Sequence, residues 1–204
     1  MTIGVDFDNT IVCYDNLFYK VALERNLIPA KVGVNKSNVR DYLRQIGQED
    51  AWTELQGLIY GVYIKEALFF PGVREFFEYC KLQNIRTYII SHKTRYPFIG
   101  EKCDLHESAK EWIKLQGLYD KKFGLDSSSV FFELTKEEKI NRISNTGCTH
   151  FIDDLPEFFE ESDFPNGVGR ILFDSHNIYE NSNIFKRVTS WMAIKRFFIE
   201  RQIG

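Results

Sequence analysis

The sequence predicts an α/β fold: a Rossmann-like parallel sheet core with a small all-helical insertion. Three observations point to it. From residue 71 onward, short and nearly all-apolar strands alternate with amphipathic helices, the pattern of a parallel sheet covered on both faces. The chain opens on another apolar run, "TIGVDF", which reads as a buried strand. Between the two, residues 14–70 read as helix throughout, with no convincing strand. The expected domains are therefore an α/β core of residues 1–13 and 71–204, and a helical insertion of residues 14–70.

Each element has a local reason. "DNLFYKVALERN" places Leu17, Phe18, Val21, Ala22 and Leu23 at helical spacing, and "KSNVRDYLRQI" and "EDAWTELQGLIYGVYIKEAL" read as two further helices. "PGVREFFEYCKLQN" starts a helix at Pro71, where a missing N–H does no harm. "IRTYIIS" is a strand. "DLHESAKEWIKLQGLYD" is a helix with Leu105, Ala109, Trp112, Ile113 and Leu115 turned inward, and "SSVFFEL" is a short strand. "TKEEKINRIS" opens with a capping box, Thr135 with Glu138. "THFIDD" is a strand ending in two acids, "PEFFEES" a short helix, "GRILFDS" a strand, and "RVTSWMAIKRFFIERQ" a closing amphipathic helix.

The totals exclude several functions. Net charge is −3, from 26 basic and 29 acidic residues, so there is no basic footprint for nucleic acid. No apolar run approaches the roughly 18 residues of a membrane span, and an acid as early as Asp6 leaves no room for a signal peptide. Cys13, Cys80, Cys103 and Cys148 are scattered and read as reduced thiols in a cytoplasmic protein. Cys103 and His106 have half the spacing of a zinc site, but no second pair matches them.

Ligands of parallel sheets bind beyond the carboxyl ends of the strands. The polar residues at those ends are Asp6, Asp8, Asn9 and Thr10 after the first strand, Ser91 after the second, and Asp153 and Asp154 after the fourth, with Lys139 on the helix leading into it. Asp6 and Asp8 point to one face of a strand, where like charges repel. A hard divalent cation, Mg2+, would quench that repulsion and let an anionic phosphate approach a carboxylate. Lys136 lies three residues from Lys139 on roughly the same helix face. Lys139 is preferred, because Lys136 would sit in the exposed first turn. Asp153 and Asp154 would also serve as a plain helix cap before "LPEFF".

Asp6-Phe7-Asp8-Asn9-Thr10 resembles the DxDx(T/V) first motif of the haloacid dehalogenase superfamily. Ser91 looks like its second motif, Lys139 its third and Asp153-Asp154 its fourth, in the family's order and each beside a hydrophobic strand. The resemblance covers about residues 1–13 and 71–175, and residues 14–70 sit where relatives place a helical cap. It implies that Asp6 is a nucleophile forming an aspartyl-phosphate and that Asp8 is the general acid and base. It implies Mg2+ held by the Asp6 side chain, the Asp8 backbone carbonyl and Asp154, with Asp153 a ligand or its support. Ser91, Lys139, Thr10 and backbone N–H groups near Asn9 would grip the phosphoryl group.

Dehalogenases of the family lack the second aspartate, so Asp8 favours hydrolysis of a phosphate ester. The expected substrate is a small phosphorylated metabolite, a sugar phosphate or a nucleoside monophosphate. The spacing from Lys139 to Asp153, with Pro156 after it, is similar to deoxyribonucleotidase-type members. Alternatives are a phosphotransferase or phosphomutase, or a silent binding fold. His92 and Lys93, with Arg95, are candidate substrate contacts, or simply a solvated loop. Tyr14, Asp15, Phe18 and Trp52 either line the insertion's face toward the site or form its core. The sequence leaves the oligomeric state open.

Overall fold

A computed structural model describes residues 1–203. In chain order its elements are β1 (Thr2–Val5), β2 (Val12–Cys13), α1 (Asp15–Glu24), α2 (Lys36–Gln45), α3 (Glu49–Tyr60), β3 (Leu68–Phe69), α4 (Val73–Leu82), β4 (Arg86–His92), α5 (Leu105–Leu115), β5 (Val130–Glu133), α6 (Lys136–Asn145), β6 (His150–Asp153), α7 (Pro156–Phe159), β7 (Gly169–Phe173), β8 (Lys186–Val188) and α8 (Trp191–Ile203). Two compact units emerge. One comprises Met1–Ile11, Phe69–His92 and the chain from Gly117 on; the other comprises Val12–Leu68 and Lys93–Gln116.

The first unit is built on a six-stranded sheet in the order β5-β4-β1-β6-β7-β8, every ladder parallel. β1 lies at its centre, with Val5 opposite Ile89 of β4 and Ile152 of β6. Strand alternation sends Ile90, Phe151 and Leu172 to one face, where they pack with Ile140, Ile143, Phe158, Phe159 and Phe164. Phe173 points to the other face, against Phe70 and Trp191, and Trp191 meets Phe76 of α4. Gly4 fits where a Cβ would stand 2.5 Å from the Phe151 ring, so no larger residue can occupy this central position without displacing that ring.

The second unit has an aromatic core. Phe18 stacks 5.0 Å from Trp52, and Tyr14 meets Tyr60 edge-on at 5.1 Å. Tyr14, Phe18 and Trp52 are buried there as core. α2 starts at Asn35, whose side chain accepts from Asn38 N, and Asp15 accepts from Lys36 N at 2.9 Å. α5 starts at Asp104, which accepts from His106 N and Glu107 N, and Trp112 Nε1 donates to Ala67 O at 3.0 Å. The Trp112 bond ties Lys93–Gln116 to Val12–Leu68, although strand–helix alternation alone groups that segment with the sheet.

Several expectations are corrected. Pro71 does not open a helix: Gly72 takes φ +95, a left-handed conformation open to glycine, and α4 begins at Val73. Residues 14–70 contain the short strand β3, and α3 stops at Tyr60, followed by a 3-10 turn over Tyr63–Glu66. Leu115 and Leu23 lie at the solvent rim of their helices rather than inside. Arg187 and Val188, expected to open the last helix, belong with Lys186 to the strand β8. It carries two cations in three residues, so no apolar run announces it.

Candidate active site

β1, β4 and β6 are neighbours and run parallel, so their carboxyl ends lie side by side. That alone brings together Asp6, Ser91 and Asp153, which are far apart in sequence. The Asp6 N–H extends the β1–β6 ladder, donating to Ile152 O at 2.8 Å. The chain then turns sharply: Ile11 N donates to Phe7 O, and Asn9 adopts φ +57. Asparagine is one of the few non-glycine residues that take this left-handed conformation readily.

Asp6 is buried and doubly bonded through one oxygen. Its Oδ1 accepts from Ser91 Oγ at 2.9 Å and from Lys139 Nζ at 2.7 Å. The same ammonium donates to Asp153 Oδ2 at 2.6 Å, and Asp153 Oδ1 accepts from Leu155 N at 3.0 Å. Asp153 therefore holds Lys139 and also supports the entry to α7. Lys139 is only 3% exposed; its ammonium lies 4.1 Å from the Phe158 ring centroid and 5.3 Å from that of Phe151. The capping box at Thr135 and Glu138 fixes the first turn of α6, which aims Lys139 inward. Lys136 instead forms an exposed pair with Glu161 at 2.9 Å.

Asp154 is half-buried and accepts from Thr10 Oγ1 at 3.3 Å. The Thr10 carbonyl accepts from the buried indole Nε1 of Trp191 at 3.0 Å. A residue of the last helix thus supports the loop after β1. Sequence reading missed this contact, because an indole 181 positions away leaves no local signal.

Oxygens of Asp6, Asp153 and Asp154 all lie within 4.8 Å of one another. They are the metal-capable cluster among the described residues, and every donor is a hard carboxylate oxygen, which suits Mg2+ better than zinc. The Asp8 carboxylate is not in this trio. His106, half of the unmatched zinc spacing, instead lies with Nε2 2.7 Å from Lys93 O.

The electrostatics follow from the burial. Desolvation pushes the Asp6 carboxyl up to about 7; Lys139 opposes this, while Asp153 and Asp8 add to it. Burial pulls the Lys139 ammonium down, but Asp153 and Asp6 outweigh it and hold it above the usual lysine range. A cation bound by the trio would favour ionised Asp6.

His92 is exposed at the end of β4, level with Glu133. Lys93 belongs to the helical unit, where it is buried with its ammonium 4.5 Å from the Tyr60 ring centroid.

No protein-family model matches the sequence, and no curated protein matches it. Solved structures do resemble the fold. A haloacid dehalogenase-like hydrolase from Streptococcus pneumoniae aligns at TM-score 0.60 and 13% identity over 97% of each chain. The HAD-hydrolase YfnB from Bacillus subtilis, solved bound to magnesium, aligns at TM-score 0.59 and 12% identity over 96% of this chain and 97% of that one. A predicted phosphoglycolate phosphatase from Haemophilus somnus aligns at TM-score 0.55 and 16% identity over 97% of each. The chain has the fold of the HAD-superfamily hydrolases, with an acidic trio at the carboxyl edge of its sheet.

Proposed function

We propose that the protein is a Mg2+-dependent phosphatase that hydrolyses the monoester of a small phosphorylated metabolite. The observation that carries this reading is the meeting of Asp6, Asp153 and Asp154 within 4.8 Å, with Lys139 and Ser91 bonded to Asp6. A dehalogenase needs no second aspartate, whereas Asp8 is close enough to Asp6 to raise its proton affinity. That favours phosphate esters.

Asp6, Asp154 and the Asp8 carbonyl would hold Mg2+, with Asp153 completing or supporting the set. When bound, the ion offsets the negative charge of the phosphoryl group and of the carboxylates around it. An Asp6 oxygen attacks phosphorus and forms an acyl-phosphate, while the ester oxygen leaves with the proton of Asp8. Asp8, now ionised, takes a proton from water; the hydroxide attacks phosphorus, and the bond to Asp6 breaks, releasing inorganic phosphate. Ser91 and Lys139 hold the phosphoryl oxygens and the Asp6 carboxylate, and N–H groups near Asn9 add donors. Thr10 keeps Asp154 in place.

His92, exposed at the end of β4, is the candidate contact for the substrate's leaving group at this edge. All four cysteines are free, which fits a reducing, cytoplasmic setting. The test is phosphate release from sugar phosphates, nucleoside monophosphates and a generic aryl phosphate. Turnover should require Mg2+ and stop in EDTA. No release from any of them, or release indifferent to EDTA, contradicts the proposal.

A further inference from the structure

The edge strand β8 and the helix α8 enclose a groove of about 610 Å3, within the first unit and outside the carboxylate cluster. Four cations line it: Lys186 and Arg187 from the strand, Arg196 and Arg201 from the helix, with Glu200 the lone acid among the lining residues. The chain as a whole is acidic, at −3. Clustering of four cations here is therefore a local feature and does not follow from composition.

Their settings differ in a useful way. Arg187 is held in place, its NH1 donating to Asp174 Oδ2 at 2.8 Å and to Asn177 Oδ1 at 2.7 Å. Arg201 lies 4.6 Å over the ring of half-buried Phe197, one helical turn earlier, with NH1 3.4 Å from His150 Nε2. Lys186 and Arg196 are exposed, and neither has an ion-pair partner among the described residues. Lysine on an open edge also discourages strand-to-strand pairing, and arginine in a last turn suits the helix dipole. Those effects account for Lys186 and Arg201 separately. Buried Asp174 accounts for Arg187. None of these effects accounts for exposed Arg196, which lines the same hollow as Lys186.

We propose that this groove is a second ligand site, for a polyphosphate-bearing anion. A single carboxylate would engage one or two of the cations. A chain of phosphates can engage groups spread over a strand and a helix, each contact charge-assisted. The volume suits a small molecule of nucleotide size. Half-buried Phe197 adds apolar area to the lining beside the cations.

The test titrates the intact protein calorimetrically with inorganic tripolyphosphate and, separately, with ATP. It is run in EDTA, where the carboxylates of the first site repel anions. The comparison protein carries Lys186→Glu and Arg196→Glu, both exposed, with its melting temperature measured to confirm the fold. Wild type should bind saturably, and the double variant should bind about tenfold more weakly or worse, as expected for reversing two charges that have no ion-pair partner among the described residues. Mg2+-dependent phosphate release by the variant should be unchanged. Equal affinity for both anions identifies polyphosphate alone as the ligand chemistry; tighter binding of ATP identifies a nucleotide. Absence of saturable binding at millimolar anion, or undiminished binding in a folded double variant, overturns the proposal.

Discussion

Replacing Asp6 by asparagine separates two consequences of one buried charge. The change keeps the side chain's shape and removes its ionisation. Desolvation holds the Asp6 carboxyl near 7, against an ordinary value of 3.8, so the folded chain retains a proton that the unfolded chain releases earlier. Well below pH 3.8 both states are protonated and nothing is lost. As pH rises toward about 7 the wild type loses stability, and above that the loss is complete. Roughly three units at about 1.4 kcal/mol each set a ceiling of about 4 kcal/mol. The gain in the variant is smaller than that ceiling, because Lys139 keeps Asp153 but gives up one of its two carboxylate partners. In EDTA at about pH 8, urea melts should show the variant more stable by roughly 1–3 kcal/mol, with the gap closing in acid. Phosphate release with Mg2+ should be abolished. A variant less stable than wild type at the alkaline end, or one with appreciable turnover, would refute the reasoning.

Lys139→Met leaves Asp6 and Asp153 buried beside each other without a cation. It should cost about 3–5 kcal/mol in EDTA melts, with Mg2+ recovering part of the loss, and it should stop turnover. Asp8→Ala should slow turnover by about 100-fold or more, and least for an aryl phosphate, whose leaving group needs no proton; equal slowing for alkyl and aryl esters argues against the acid role. Trp191→Phe keeps a ring in the core but strips the Thr10 carbonyl of its donor. A loss of about 1–3 kcal/mol is expected, together with a weaker Mg2+-induced rise in melting temperature, since Thr10 also holds Asp154; an unaltered Mg2+ response disconnects Trp191 from the site.

Much of the site was legible because its residues mark the ends of apolar runs. Asp6 follows "TIGV", Ser91 follows "TYII" and Asp153 follows "HFI", and a parallel sheet brings such ends to one edge whatever their separation in sequence. The preference for Lys139 over Lys136 followed from position along the helix: residue 136 in the first turn meets solvent and Glu161, whereas Lys139, one turn further on, is buried. The misses share a cause. β8 is defined by its ladder to β7 and not by its own three residues. Lys93–Gln116 is bound to the helical unit by contacts such as Trp112 to Ala67, and the Trp191 bond to Thr10 spans nearly the whole chain. None of these leaves a periodic trace. Gly72 shows the opposite limit: a strong local signal, Pro71, suggested a helix start that the left-handed glycine postpones to Val73.

The most direct measurement is to trap the covalent intermediate. Protein turning over an aryl phosphate with Mg2+ is acid-quenched and digested, and the peptide containing Asp6 is weighed. A phosphoryl group on Asp6 is expected in wild type, accumulating in Asp8→Ala and absent from Asp6→Asn. Turnover with Asp6 unmodified in both wild type and Asp8→Ala, or with the phosphoryl group on another residue, contradicts Asp6 as the group that attacks phosphorus.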